Sequence, residues 1–153
     1  MDHSIELKVL SSTGYLISLA ARGFVRLSEA RLKPLGFGVG YLPVLVALTN
    51  DRVETQRNLA RFAKIEQPSM AQMLVRMERD GLIQRVPDPA DGRSSLISLT
   101  ESAENRLPEA CTVLFQGNRE ALDGFTDEEI SQLTNLLTRL SANLDRIESA
   151  VLK

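Results

Sequence analysis

Two short amphipathic helix patterns followed by a hairpin pattern constrain the fold of this chain more than any other feature. The helix patterns cover residues 55–64 and 68–80, and Gly81 is placed to end the second. Residues 82–86 and 96–99 have the composition of two short strands, and the prolines and glycine of residues 87–93 require a loop between them. This order predicts a winged helix-turn-helix, a structure that binds duplex DNA.

The apolar residues of the two helix patterns define their buried faces. In the first pattern Thr55 is the predicted N-cap, and Leu59, Phe62 and Ala63 are predicted to point inward. In the second, the apolar residues recur at i, i+3, i+4 and i+7. They are Met70, Met73, Leu74 and Met77.

Helical patterns also precede this region. Residues 13–32 predict a helix that is ended by the Lys33-Pro34-Leu35-Gly36 segment, and residues 41–48 predict a shorter one with Pro43 in its first turn. The longer helix has one apolar face, which consists of Leu16, Leu19, Ala20, Gly23, Phe24 and Leu27.

Two further helices are predicted after the hairpin. Thr100 caps a helix reaching to about residue 122, and Pro108 is expected to distort or interrupt it because an interior proline loses one backbone hydrogen bond. Gly124 breaks this helix, and residues 126–129 form a capping box that begins the next one. Large apolar residues then recur by three and four, and such a face needs a partner. They are Ile130, Leu133, Leu137, Leu140, Leu144, Ile147 and Val151.

Composition limits the class of protein. A chain of 153 residues with 43% hydrophobic content suits one domain with a sizeable core. No apolar stretch reaches the roughly 20 residues that span a bilayer, and the first residues lack the pattern of a signal peptide, so a cytoplasmic protein is expected. The single cysteine, Cys111, and the single histidine, His3, predict neither an internal disulfide nor a metal site, and no cofactor is expected.

The charge is distributed unevenly along the chain. The net charge is −2, but residues 52–94 carry eight basic against six acidic side chains, whereas the rest of the chain carries ten against fourteen. The positive charge therefore falls on the predicted winged helix-turn-helix, where phosphate attraction requires it.

These motifs, in this order and spacing, resemble the MarR family of bacterial transcription regulators over nearly the whole chain. The resemblance rests on the long first helix and on residues 34–36, 59–60, 77–85, 88–93 and 99–100. Gly92 stands where the family often has a second basic residue, and Ala103 where it often has glycine. The resemblance implies a mainly α fold with a small β-hairpin wing, in one domain over residues 1–153. Residues 40–100 would bind DNA, and helices in residues 1–35 and 105–153 would form a dimer.

Seven residues are candidates for DNA contact. Ser69, Gln72 and Arg76 share the face opposite the methionines, with Gln67 at its start, and glutamine and arginine can read adenine and guanine in a major groove. The alternative is a solvated polar face. Arg93 at the wing tip suits a narrow minor groove, or is a surface arginine. Thr55 and Gln56 lie at the start of the preceding helix. They are predicted either to contact phosphate or to serve only in capping that helix.

The resemblance also implies a pocket for a small aromatic or phenolic ligand. Arg22 and Tyr41 are the candidates, offering a carboxylate partner and a phenol, against purely structural roles. A redox-responsive regulator that uses Cys111 is an alternative, although a cysteine beside Val113 and Leu114 usually serves in packing.

The predicted function is a homodimeric regulator that binds a pseudo-palindromic operator and represses transcription until a ligand releases it. A winged-helix module that binds protein is the alternative from another class. An enzyme is not expected, because the sequence has no histidine or cysteine constellation, no glycine-rich phosphate loop and no nucleophile motif.

Overall fold

The fold was obtained as a computed structural model, and residues 3–151 are described. The helices of this range are α1 (His3–Leu10), α2 (Thr13–Leu32), α3 (Leu42–Ala47), α4 (Gln56–Ala63), α5 (Gln67–Arg79), α6 (Glu101–Ala121) and α7 (Asp127–Val151). The strands are β1 (Glu54–Thr55), β2 (Ile83–Asp88) and β3 (Asp91–Leu99). The predicted class, mainly α with a small β wing, is confirmed. The short helix α1 was not predicted.

The chain divides into two compact units, Met1–Gly117 and Asn118–Lys153. The first holds α1 to α5, the sheet and most of α6, and the second holds the end of α6 and all of α7. The prediction of a single domain over residues 1–153 stays a prediction. Within the described range, no helix combines the length and the apolar character needed to cross a bilayer.

Local signals in the sequence set the helix ends. The Thr55 hydroxyl accepts a hydrogen bond from the Asn58 amide at 3.2 Å and caps α4. Gly81 has a φ of 70°, a left-handed conformation in which a side chain would be strained, and it follows the C-terminal end of α5. The predicted capping box of α7 is present, because the Thr126 amide donates to Glu129 and the Glu129 amide donates back to the Thr126 hydroxyl.

The sheet has three antiparallel strands in the order β1-β3-β2. The hairpin strands are longer than predicted, since Asp88 pairs with Asp91 and only Pro89 and Ala90 remain in the turn. The third strand, β1, was not predicted, because a pair of residues is too short to form a sequence pattern. It pairs Glu54 with Ile97 and Thr55 with Leu96, and so joins the start of α4 to the hairpin.

One hydrophobic core joins α3, α4, α5, the sheet and the first half of α6. Leu45, Met70, Met77 and Ile97 are fully buried within it. Thr100 closes the base of the hairpin, because its hydroxyl donates to the Gly81 carbonyl at 2.6 Å and its amide donates to the Leu82 carbonyl. These two bonds join the end of β3 to the segment that follows α5.

Two expectations about helix interiors were wrong. Phe62 was expected to point inward, but its side chain is 59% exposed, because α4 centres its buried face on Leu59 and Ala60. A distortion or an interruption was expected at Pro108, and the interruption is wrong, because α6 continues through this residue. A proline removes only its own N–H, here the donor to the Glu104 carbonyl, and the buried Leu107 and Ala110 hold the helix in place.

Candidate nucleic-acid interface

Helix α5 presents the predicted polar face to solvent. Met70 and Met77 are fully buried on one side, and the predicted residues Ser69, Gln72 and Arg76 are exposed on the other. Because these three positions are spaced by three and four residues, their side chains form one row along the helix. A helix that is buried on one side and polar on the other can enter a major groove without losing its packing.

The N-terminal ends of α4 and α5 meet through their glutamines. The Gln56 side-chain amide donates to the Gln67 side-chain oxygen at 3.2 Å. Thr55, one residue earlier, uses its hydroxyl to cap α4. The structure thus brings Gln56 and Gln67 together at the start of the exposed row, where the first N–H groups of two helices lie close by and favour phosphate oxygens.

Arg76 belongs to the exposed row of α5, and its charge also acts on Tyr41. The Tyr41 hydroxyl donates to an Asp80 carboxylate oxygen at 3.4 Å, and the Arg76 guanidinium is near enough for its charge to act on the phenol. Partial burial raises the pKa of Tyr41 above its ordinary value of 10.0, the Asp80 charge raises it further, and the Arg76 charge opposes both. Tyr41 therefore contacts the residue that caps the C-terminal end of α5, a role that sequence reasoning did not assign to it.

The two candidate ligand residues do not line the same groove. The Arg22 guanidinium donates to the Ser18 hydroxyl at 2.8 Å, within α2. Arg22 lines an open groove of about 390 Å³ together with other residues of α2, and Tyr41 does not line that groove. The pairing of Arg22 with Tyr41 in one ligand pocket stays a prediction.

Two aspartates organise the tip of the β2–β3 hairpin. The Asp88 carboxylate accepts from the Ala90 amide at 2.8 Å and from the Ser94 hydroxyl at 3.1 Å. The Asp91 carboxylate accepts from the Arg93 backbone amide at 3.0 Å. Asp91 therefore positions the backbone of Arg93, and the Arg93 side chain is exposed at the tip as predicted.

Sequence reasoning missed Val75. Its side chain is 61% exposed, one turn beyond Gln72 and beside Arg76 on the polar row of α5. The signal was an apolar β-branched residue at a position where the helix period requires a polar one. An exposed apolar group on such a face can contact the methyl group of thymine.

These features define a winged helix-turn-helix protein: a short helix pair with an exposed polar row, and a hairpin that carries an arginine at its tip. Comparison with known proteins adds a match to one family within this class. Residues 44–95, which hold α4, α5 and most of the hairpin, match the model of the MarR family.

Solved structures match over most of the chain. A mutant of MarR from E. coli complexed with operator DNA has a TM-score of 0.78 at 24% identity, covering 92% of this chain and 99% of that one. The transcriptional repressor CouR, bound to a 23-mer DNA duplex, has a TM-score of 0.80 at 20% identity, with 88% and 95% covered. The transcriptional regulator SlyA has a TM-score of 0.76 at 28% identity, with 85% and 92% covered.

The resemblance to the MarR family that the motifs predicted is confirmed by the match of the family model to residues 44–95 and by the structural similarity to SlyA, a transcriptional regulator. The expected partners, duplex DNA and a second copy of the chain, agree with this assignment. The structures it matches are regulators of transcription and not enzymes.

Proposed function

We propose that this protein is a homodimeric regulator that recognises a pseudo-palindromic operator through α5 and represses transcription. The observation that carries the proposal is the exposed row of Ser69, Gln72 and Arg76 over the buried methionines of α5. In a major groove Arg76 would donate to guanine, Gln72 would pair with adenine, and Ser69 would meet a base or a phosphate. Contacts to phosphate at the start of the row fall to Thr55, Gln56 and Gln67.

Arg93 would extend the contact beyond the major groove. Asp91 binds the backbone amide of Arg93 at the tip of the hairpin, and a narrow minor groove has the negative potential that attracts a guanidinium. Gly92 adds no charge beside it, so each hairpin contributes one basic side chain at this point.

The dimer is proposed from apolar faces that the single chain leaves in water. On α2 Leu16 is 50% exposed and Leu19 is 45% exposed, and on α7 Leu144 and Ile147 are both more than half exposed. Monomeric proteins rarely leave such rows uncovered. A second copy would cover them, with residues 1–35 and 105–153 supplying the dimer helices and residues 40–100 the DNA-binding part.

Release of the operator by a small aromatic or phenolic ligand is the remaining part of the proposal. Arg22 and Tyr41 are the residues proposed to bind it. Because the Tyr41 hydroxyl donates to Asp80, the residue that caps the C-terminal end of α5, a ligand that engaged the Tyr41 phenol would remove a contact at the end of the recognition helix.

The test is a binding titration with the DNA upstream of the protein's own coding region, using a scrambled duplex of equal length as the control. The proposal requires tighter binding to the upstream duplex and an affinity that falls steeply as salt rises. A winged-helix module that binds protein would show neither effect, and that result would overturn the proposal.

A further inference from the structure

A cavity of about 410 Å³ lies where the turn after α3 meets the end of β3 and the first half of α6. All of its lining residues belong to the first compact unit. Its volume is within the range of small-molecule sites in proteins. None of the residues predicted to bind DNA or a ligand lines it.

The floor of the cavity is apolar. Leu99 and Leu107 are nearly fully buried and reach it with their remaining surface, and the half-buried Cys111 lies one turn beyond Leu107 on α6. A floor of aliphatic and thiol groups favours the hydrocarbon part of a ligand, since each methylene group removed from water contributes about 0.8 kcal/mol.

The rim of the cavity supplies hydrogen-bond acceptors. Asp51 and Glu104 line it, and within residues 3–151 neither carboxylate forms an ion pair with a basic side chain. Pro108 also lines it, between Glu104 and Cys111 on α6. The rim thus carries two negative charges.

The turn that carries Asp51 has an uncommon backbone. Asn50 and Asp51 both adopt left-handed conformations, with φ of 61° and 57°. Asparagine and aspartate tolerate this region better than other side chains do, and such residues cluster at ligand sites. This backbone conformation sets the position from which the Asp51 side chain extends at the rim of the cavity.

We propose that this cavity binds an organic ammonium ion that carries an apolar body. The ammonium group would donate to the carboxylates of Asp51 and Glu104, and the body would lie on Leu99, Leu107 and Cys111. An aromatic acid is disfavoured here, because its carboxylate would face two others. The inference goes beyond the proposed function and stands whether or not the protein binds DNA.

Three probes with one shared body test the charge preference. They are 4-phenylbutylammonium, 4-phenylbutanol and 4-phenylbutyrate, titrated into the full chain by calorimetry at neutral pH. We expect the ammonium ion to bind about tenfold more tightly than the alcohol, and the acid to bind more weakly than both. Methyl resonances of Leu99 and Leu107 should shift on addition of the ammonium probe.

Matched variants locate the site. Asp51→Asn keeps a residue that tolerates the left-handed backbone, and Glu104→Gln keeps the side-chain length, so each should reduce the preference for ammonium over alcohol while the thermal melt is retained. Glu101→Gln, one turn earlier on α6 and outside the cavity, should leave the preference unchanged. Cys111→Trp should weaken all three probes by filling the floor.

Three results would overturn the inference: equal affinities for ammonium and alcohol, tightest binding of the acid, or ammonium binding that survives both charge-removing variants. Failure of the operator titration would leave this inference standing, because calorimetry with these probes contains no DNA.

Discussion

The hydroxyl of Tyr41 lies 3.4 Å from a carboxylate oxygen of Asp80, which links the start of α3 to the C-terminal end of the recognition helix. Burial raises the pKa of Tyr41, the Asp80 charge adds to this effect, and Arg76 opposes it. The neutral phenol is therefore the form that the folded protein favours.

This contact predicts a pH dependence at the alkaline end. Because the folded-state pKa is raised, the stabilisation is fully present below the unfolded value of 10.0 and is lost as pH rises through the folded pKa. In a Tyr15→Phe background the ultraviolet titration of the remaining tyrosine should have its midpoint above 10. Asp80→Asn should lower that midpoint and Arg76→Ala should raise it. A midpoint at or below 10 in the Tyr15→Phe protein would contradict the account.

Arg76→Ala should weaken specific operator binding by roughly 1–3 kcal/mol and flatten the preference at one position of each half-site. The matched control is Arg79→Ala, because Arg79 pairs with Asp80 at 3.0 Å and has a largely exposed side chain. The loss of binding free energy in Arg79→Ala should be smaller than in Arg76→Ala and similar for all DNA sequences. Equal, sequence-independent losses in both variants would mean that Arg76 contacts phosphate only.

Val75 should distinguish thymine from uracil. If its side chain packs against the thymine methyl group, replacing that thymine by deoxyuridine removes about 0.8 kcal/mol, close to a fourfold loss of affinity. Val75→Ala should bind both duplexes alike, while Ser69→Ala should retain the difference. Wild-type binding that is insensitive to uracil at every operator position would exclude this role.

The accuracy of sequence reasoning followed the range of the interactions involved. The cap at Thr55, the helix end at Gly81 and the capping box at Thr126 depend on neighbouring residues, and all were predicted correctly. The buried methionines of α5 followed from the helix period alone.

Features that depend on distant segments were missed. The strand β1 is defined only by its pairing with β3, and Tyr41 acquires its role only where α3 meets the end of α5. Phe62 fits the apolar pattern, but the direction of the core from α4 is set by packing against other elements, so the pattern placed it on the wrong side. No pattern of neighbouring residues indicates on which side of α4 the core lies.

Leu144→Glu should convert the dimer to monomers or to insoluble protein. Leu144 is 57% exposed in the single chain, and a carboxylate there would be buried without a partner in the proposed interface. Sedimentation at micromolar protein measures the change. Asn135→Glu adds the same charge to an exposed position on the opposite face of α7 and should remain dimeric. A wild-type protein whose mass stays that of a monomer at all concentrations would contradict the dimer.

The hairpin prediction follows from symmetry. A dimer would place two Arg93 side chains at the outer flanks of the operator while two α5 helices occupy major grooves about one helical turn apart. Arg93→Ala should therefore shorten the protected footprint at both ends, lower the affinity and reduce the salt slope by about two, one contact for each subunit. Arg93→Lys retains the charge and should keep the slope.

The fold should be unaffected in both variants, because the Asp91 carboxylate bonds to the backbone amide of residue 93, which any of these side chains leaves in place. Wild-type affinity and slope in Arg93→Ala would mean that the hairpin does not touch DNA, and the uncharged Gly92 beside it would be the first position to examine.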